Sequence, residues 1–200
     1  MKKNTFLKLG IMCLLNVFMA LAQPTTPNLK TDSLPKPASQ SKDKSLEAFK
    51  TVLSVIKSPR CINCHPTGDR PLQGDDHHEH IMNVQRGLAN QGGVVQKCNT
   101  CHQKENMAYS RVPGAPKWGL APKSMGWFGL SDNQIAQTLM DKSKNGGRSP
   151  KDLVQHMAFD SLVMWAWQPG STRTLPPVSV DEFRVALNLW LDNGAYIPQN

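Results

Sequence analysis

The pattern C-x-x-C-H occurs twice in the chain, as Cys61-Ile62-Asn63-Cys64-His65 and as Cys98-Asn99-Thr100-Cys101-His102. Two cysteines separated by two residues lie on one side of a turn, so both thiols can bond one edge of a flat macrocycle. The histidine that follows can then ligate a metal ion at the centre of the ring. This is the attachment signature of c-type haem. It predicts thioether bonds at Cys61, Cys64, Cys98 and Cys101, and proximal iron ligation by His65 and His102.

Zinc and a redox-active dithiol are the alternatives for paired cysteines. A zinc ribbon separates its two C-x-x-C pairs by about 15 to 20 residues, whereas 33 residues separate Cys64 from Cys98. Zinc also would not need a histidine after both pairs. A dithiol oxidoreductase uses a single pair within a pattern of strands and helices that this sequence lacks. The repeat therefore favours two covalently bound c-type haems.

The first 22 residues predict a signal peptide. Three lysines precede a mostly apolar segment from Ile11 to Ala22, and Ala20-Leu21-Ala22 resembles a cleavage site. An uncleaved anchor is the alternative, but the apolar segment is shorter than the ~20 residues that a membrane span needs. Cleavage would remove Cys13 and leave every other cysteine inside the two motifs. We therefore expect an exported protein without a stable membrane span, in the periplasm of a Gram-negative bacterium.

Residues 23–44 predict a flexible linker, because they contain four prolines, many polar residues and no aromatic residue. Residues 45–200 remain for one folded domain. The two motifs start only 37 residues apart, which is too close for a separate domain around each haem.

The number and distribution of charged residues do not indicate a nucleic-acid partner. The chain carries 23 basic and 15 acidic residues, a formal net charge of +8. The leader holds three of the basic residues and none of the acidic ones, so the mature chain would carry +5. The propionates of bound haem would bring it nearer to neutrality. No basic stripe with interleaved aromatic residues is present, so nucleic-acid binding is not expected.

Four segments carry helix signals. Ser45 is expected to cap a helix with Phe49 and Leu53 on its apolar face, and Pro59 is expected to end it. Three later helices are predicted from capping residues: Ser131 with Gln134, Ser149 before Pro150, and Ser179 with Glu182. No segment alternates as a strand does. The fold class is therefore mainly α, with long loops that wrap two haems in one domain. A helix before the first motif and another at the carboxyl end resemble the terminal helices of class I cytochromes c.

The ligand on the other face of each iron has several candidates. If the segment Asp75–His80 is extended, His78 and His80 point the same way and are favoured over His77, with neighbouring carboxylates to orient an imidazole. A solvated polar loop is the alternative. Met125 lies in a loop that resembles the methionine-bearing loop of class I cytochromes c, and His156 is either a ligand or a core histidine. We expect one bis-histidine haem and one haem ligated by Met125 or His156.

The chain also resembles a more specific family. From Arg60 onward it is similar to the dihaem cytochromes c associated with isoquinoline 1-oxidoreductase-type molybdenum hydroxylases. The resemblance implies a cytochrome that accepts electrons from a molybdenum and iron–sulfur hydroxylase acting on N-heterocycles or aldehydes. It is carried by these segments: Arg60–His65, Gln73–Asp76, Asn83–Gly87, Val112–Pro116, Ala121–Met125, Gly129–Ser131, Asn145–Arg148 and Trp165–Gly170.

Electron transfer is the function that these features predict, since no other catalytic constellation is present. The protein would be an electron carrier rather than an enzyme, or an electron-transfer subunit of an oxidoreductase. The alternative is a haem enzyme, such as a peroxidase, in which one iron keeps an open site. Dihaem peroxidases typically have longer chains with one domain for each haem, which makes the carrier the better hypothesis.

Overall fold

The computed structural model describes residues 38–170 and 172–199, in which helices predominate. The expected signal peptide and residues 23–37 of the expected linker lie outside the described residues. Among the described residues, one short antiparallel hairpin pairs Leu72 with Glu79 and Gln73 with His78. The helices are α1 (Ala38–Ile56), α2 (Pro59–Ile62), α3 (Asp132–Met140), α4 (Pro150–Phe159), α5 (Ser161–Met164) and α6 (Val180–Asp192), and the strands are β1 (Leu72–Gln73) and β2 (His78–Glu79).

Helix α1 includes residues 38–44, which the sequence had assigned to the flexible linker, and the prediction that Ser45 caps this helix is wrong. Residues 38–44 contain neither proline nor glycine, and most of them tolerate a helix, so no local signal stops it there. Ser45 lies fully buried within α1. Its hydroxyl donates to the carbonyl of Trp190 at 3.0 Å and accepts from the N–H of Tyr196 at 3.0 Å.

We expect Ser45→Ala to lower the free energy of unfolding by about 1–3 kcal/mol, because it leaves a buried carbonyl and a part-buried N–H without their partner. Urea unfolding followed by circular dichroism measures this. The matched control is Ser54→Ala, since the exposed Ser54 hydroxyl bonds only to Thr51 of its own helix. Equal stability of the two variants would contradict the role of Ser45.

The main core forms where α1 packs against α6. Phe49 and Trp190 are buried with their ring centroids 4.5 Å apart. Both helices present an apolar face at helical spacing, which explains their pairing. The Nε1–H of Trp190 donates to the carbonyl of Tyr196 at 3.1 Å, so the chain that follows α6 is tied back to the same core.

The capping predictions for the later helices are confirmed. Ser131, Ser149 and Ser179 each accept a hydrogen bond from the backbone N–H three residues on, and in each case that residue returns a bond to the serine N–H. These reciprocal bonds satisfy donors that a helix start would otherwise leave open. Pro59 differs from its prediction, because α1 already ends at Ile56 and Pro59 starts the short helix α2. A proline at the first helical position loses no hydrogen bond.

Residues 63–124 form long loops with little core of their own. Apart from prolines, their buried apolar side chains are Val84 and Ala115. The buried guanidinium of Arg86 holds several loops together, donating to carbonyls of Pro66 at 3.1 Å, Gly68 at 3.0 Å and Ala121. These loops therefore depend on polar contacts rather than on apolar packing.

The described residues all belong to one compact unit, which contains both C-x-x-C-H motifs. Within residues 38–170 and 172–199, no helix combines the length and the apolar character needed to cross a membrane.

Candidate haem sites

The first motif follows directly from α2. Cys61 lies in this helix, and the N–H of Cys64 donates to the carbonyl of Cys61 at 3.1 Å. The N–H of His65 donates to the carbonyl of Ile62 at 2.9 Å, so the turn continues to the histidine. The N–H of Ala121 bonds to the carbonyl of Cys64 at 2.9 Å and anchors the motif to the loop that precedes α3.

His65 is held on two sides by the segment 125–127. Its Nδ1 donates to the carbonyl of Met125 at 2.6 Å, and its ring stacks on Trp127 with centroids 3.5 Å apart and planes 6° apart. Gly126 allows this approach, since a Cβ there would lie 2.7 Å from the carbonyl oxygen of Pro66. With Nδ1 used as a donor, Nε2 of the neutral ring keeps a lone pair for a metal ion.

His102 of the second motif is held in the same way. Its Nδ1 donates to the carbonyl of Pro113 at 2.7 Å, and its ring stacks on Trp118 with centroids 4.6 Å apart and planes 8° apart. The residue after the carbonyl is again a closely packed glycine, because a Cβ on Gly114 would lie 2.1 Å from the carbonyl oxygen of Glu105. The same arrangement therefore occurs at both motifs. A backbone carbonyl before a glycine accepts from each histidine, and a tryptophan stacks on its ring.

The sequence did not predict this repeated arrangement of carbonyl, glycine and tryptophan around the two histidines. A glycine after the accepting carbonyl and a nearby tryptophan are visible in the sequence, but the carbonyl lies 60 residues from His65 and 11 residues from His102. No fixed spacing links the two copies, so only the fold reveals them.

Burial keeps both motif histidines neutral. It lowers the pKa of His65 to about 3, opposed by the hydrogen bond to Met125. Burial also lowers the pKa of His102 below its ordinary value. A neutral imidazole whose Nδ1–H is engaged presents Nε2 as a ligand at physiological pH.

The thiols of the first motif have the opposite character to those of a dithiol oxidoreductase. Burial raises the pKa of Cys61 to about 12 and that of Cys64 to about 11, whereas reactive dithiols have a lowered thiol pKa. The four cysteines at positions 61, 64, 98 and 101 form no disulfide bond. In the part of the chain that the structure describes, no three His, Cys, Asp or Glu side chains are grouped closely enough to hold a metal ion.

Two cavities adjoin the motifs. The larger, of about 590 Å³, is lined by Cys98, Cys101 and His102. The smaller, of about 200 Å³, is lined by Cys61 and His65 together with apolar side chains of the helical core. The cavities share a wall made by Arg60, Cys64, Trp118, Gly119, Leu120 and Trp165.

His80 faces His102 across the larger cavity. Their ring centroids are 6.1 Å apart. Their ring planes are 71° apart, so the two imidazoles meet edge-on at the wall of this cavity. The Nδ1 of His80 donates to the carbonyl of Ile81 at 2.6 Å, so its Nε2 is also left for a ligand.

The other two histidines of the segment 75–80 do not line either cavity. His77 bonds through Nδ1 to Asn63 Oδ1 at 3.0 Å. His78, in β2, is exposed and pairs with Asp76 at 2.6 Å. Of the two histidines that the sequence favoured here, His80 lines the larger cavity and His78 lies at the surface.

Met125 and His156 both line the smaller cavity, but they stand differently toward His65. The carbonyl of Met125 contacts Nδ1, on the edge of the ring that a bound iron would not occupy. His156 lies on α4, and burial lowers its pKa, so its ring is neutral. Its Nδ1 is 4.0 Å from a carboxylate oxygen of Asp160. The backbone of Met125 is thus tied to the motif histidine itself, whereas His156 brings a neutral imidazole to the wall of the same cavity.

The chain matches no known family model, no curated protein and no solved structure. The functional argument therefore stands on the residues and their geometry.

Proposed function

We propose that this protein is a periplasmic cytochrome with two c-type haems that transfers electrons. One observation carries the proposal. Both C-x-x-C-H histidines have their Nδ1 atoms engaged by a backbone carbonyl and their rings stacked on a tryptophan, so both present Nε2 to a metal ion. Such outer contacts orient metal-ligating histidines generally.

The cavities bear on whether haem fits. The larger cavity, at about 590 Å³, lies within the range of roughly 300–1,000 Å³ that is usual for cofactor sites. The smaller cavity is only about 200 Å³, so its walls must separate to accept a macrocycle, although its apolar lining suits one. Haem would supply reversible one-electron chemistry at each motif, and the chain would hold, orient and shield it.

The distal histidines favour a carrier over a haem enzyme. His80 stands across the larger cavity from His102, and His156 lines the smaller cavity with His65. Two imidazoles on one iron would leave no open position for a substrate such as peroxide. We therefore infer bis-histidine ligation at the second motif, and at the first motif His65 with His156.

A haem count tests the proposed function. The full chain, produced with a c-type haem maturation system, is expected to be red and to yield two haems per chain in a pyridine haemochrome assay. The haems are expected to stay attached in acidified acetone, because thioether bonds are covalent. A colourless protein, or haem that extracts completely, would overturn the proposal. Substoichiometric attachment at one motif would overturn its two-haem form.

Changing His80 to alanine is expected to open one iron without releasing haem. Removal of one axial imidazole leaves a five-coordinate or water-ligated site, so the reduced variant should bind about one CO per chain. His78→Ala is the matched control, since His78 is exposed and lines neither cavity. A CO titration followed by absorbance makes the comparison. Equal CO binding by the two variants would contradict ligation by His80.

For the electron donor we propose a molybdenum and iron–sulfur hydroxylase that oxidises N-heterocycles or aldehydes. This partner rests on the resemblance of the segments from Arg60 to Gly170. Mixing such a hydroxylase and the substrate of that hydroxylase with the oxidised cytochrome is expected to produce the absorption bands of reduced haem. No reduction, with both proteins separately active toward artificial redox dyes, would overturn the partner and leave the haem proposal intact.

A further inference from the structure

Arg60 occupies an unusual place between the two cavities. It immediately precedes Cys61 of the first motif, yet it lines the larger cavity of the second motif as well as the smaller one. Its side chain is only 2% exposed. Its Nη2 contacts Asp75 and the carbonyl of Gly74, while its buried Nε has no hydrogen-bond partner in the structure.

Arg173 is a second arginine that interacts with Asp75. Its two terminal nitrogens donate to the carbonyls of Pro169 at 2.9 Å and Arg111 at 2.8 Å, which fixes the guanidinium at the cavity wall. Asp75 is close enough to both arginines to interact with each, and its second carboxylate oxygen accepts from the hydroxyl and N–H of Thr174. Hydrogen bonds from Thr174, followed by the two arginines, hold the pKa of Asp75 below its ordinary value, so Asp75 is ionised.

The charges on this wall do not balance. Arg60, Lys97, Arg111 and Arg173 line the larger cavity, and among the residues that the structure describes Asp75 is the one carboxylate in its lining. A buried N–H donor without a partner is costly until an acceptor completes its contacts. The planar fork of arginine matches a carboxylate particularly well.

We propose that Arg60 and Arg173, which both interact with Asp75, form a carboxylate-binding site that receives a propionate of the haem attached to Cys98 and Cys101. The inference rests on the proposed function, because that haem is the carboxylate source. The free Nε of Arg60 supplies the donor, and the excess of positive charge on the wall supplies the attraction.

Arg60 would also influence both haems, because it lines both cavities. A positive charge near a haem favours the reduced state, which carries one positive charge fewer than the oxidised state. Loss of the guanidinium therefore shifts the midpoint potential of the second haem to more negative values. The first haem should shift in the same direction.

The test compares Arg60→Gln and Arg173→Gln with the unchanged holoprotein. Redox titration is expected to show the negative shift in both variants, and resonance Raman spectra are expected to show a moved propionate bending band. Arg60→Lys keeps the charge but not the planar fork, so the Raman band should move while the potential changes less. Arg184→Gln is the charge-matched control, since Arg184 contacts Ala158 and Asp181 and lines neither cavity.

The outcomes separate this inference from the haem proposal. Two haems per chain with unchanged potentials and Raman bands overturn the propionate site alone, while absence of haem overturns both. If the midpoint potential shifts but the Raman band of the propionate does not move, the arginine acts only as a nearby charge. That result also overturns the propionate site. A free anion is distinguished by adding acetate or phosphate at constant ionic strength. The wild-type potentials should not move, and a saturating shift would show that the site takes a soluble anion instead.

Discussion

Replacing Cys98 and Cys101 together by alanine is expected to leave one haem per chain and to loosen the loops of residues 63–124. These loops bury little apolar surface of their own, and a haem in the larger cavity would supply the missing apolar contact area. The core between α1 and α6 contains none of the larger cavity's cysteines, so its helices should persist. A pyridine haemochrome assay, far-ultraviolet circular dichroism and limited proteolysis measure haem content, helix content and loop exposure.

The paired variant Cys61→Ala with Cys64→Ala is the matched comparison. It also removes one haem, but its cavity is lined by core residues such as Ile56 and Phe183. We therefore expect a larger fall in thermal stability for this variant and new cleavage within the helical region. Identical proteolysis patterns for the two double variants would contradict the division between a helical core and haem-dependent loops. A full haem complement in either variant would contradict thioether attachment at that motif.

Trp190→Ala is expected to lower the free energy of unfolding by about 3–5 kcal/mol, the range seen when a large buried aromatic side chain is removed from a core. Trp190 is fully buried against Phe49, and its Nε1–H holds the carbonyl of Tyr196. The variant therefore loses apolar contact and leaves that carbonyl without its donor. Urea unfolding of the holoprotein, monitored by circular dichroism, gives the change.

Leu189→Ala is the control on the same helix, because Leu189 is 46% exposed. Its expected effect is about 1 kcal/mol or less, as for most substitutions away from the core. Similar losses for the two variants would contradict the assignment of the α1 and α6 contact as the main core. Haem content should stay the same in both, since neither residue lines a cavity.

The starts of three helices could be predicted because their determinants are local. Ser131, Ser149 and Ser179 bond to residues three positions on, a distance that a sequence pattern can register. Ser45 carries the same side chain but has partners 145 and 151 residues away. A local sequence pattern does not report contacts between residues so far apart. The sequence therefore predicted that this serine caps the helix, and it predicted a start of the helix later than the structure shows.

The candidate site divides in the same way. The C-x-x-C-H spacing places two thiols and an imidazole in one turn, so the sequence by itself predicted the attachment residues, and it also indicated a mainly helical chain. Only the tertiary structure shows how His65 and His102 are oriented. It also places His80 rather than His78 at a cavity, and it places Arg60 between the two cavities. The physical reason is range: attachment geometry is set within five residues, whereas an axial partner, a stacking ring or a buried counter-charge is brought near by folding of distant loops.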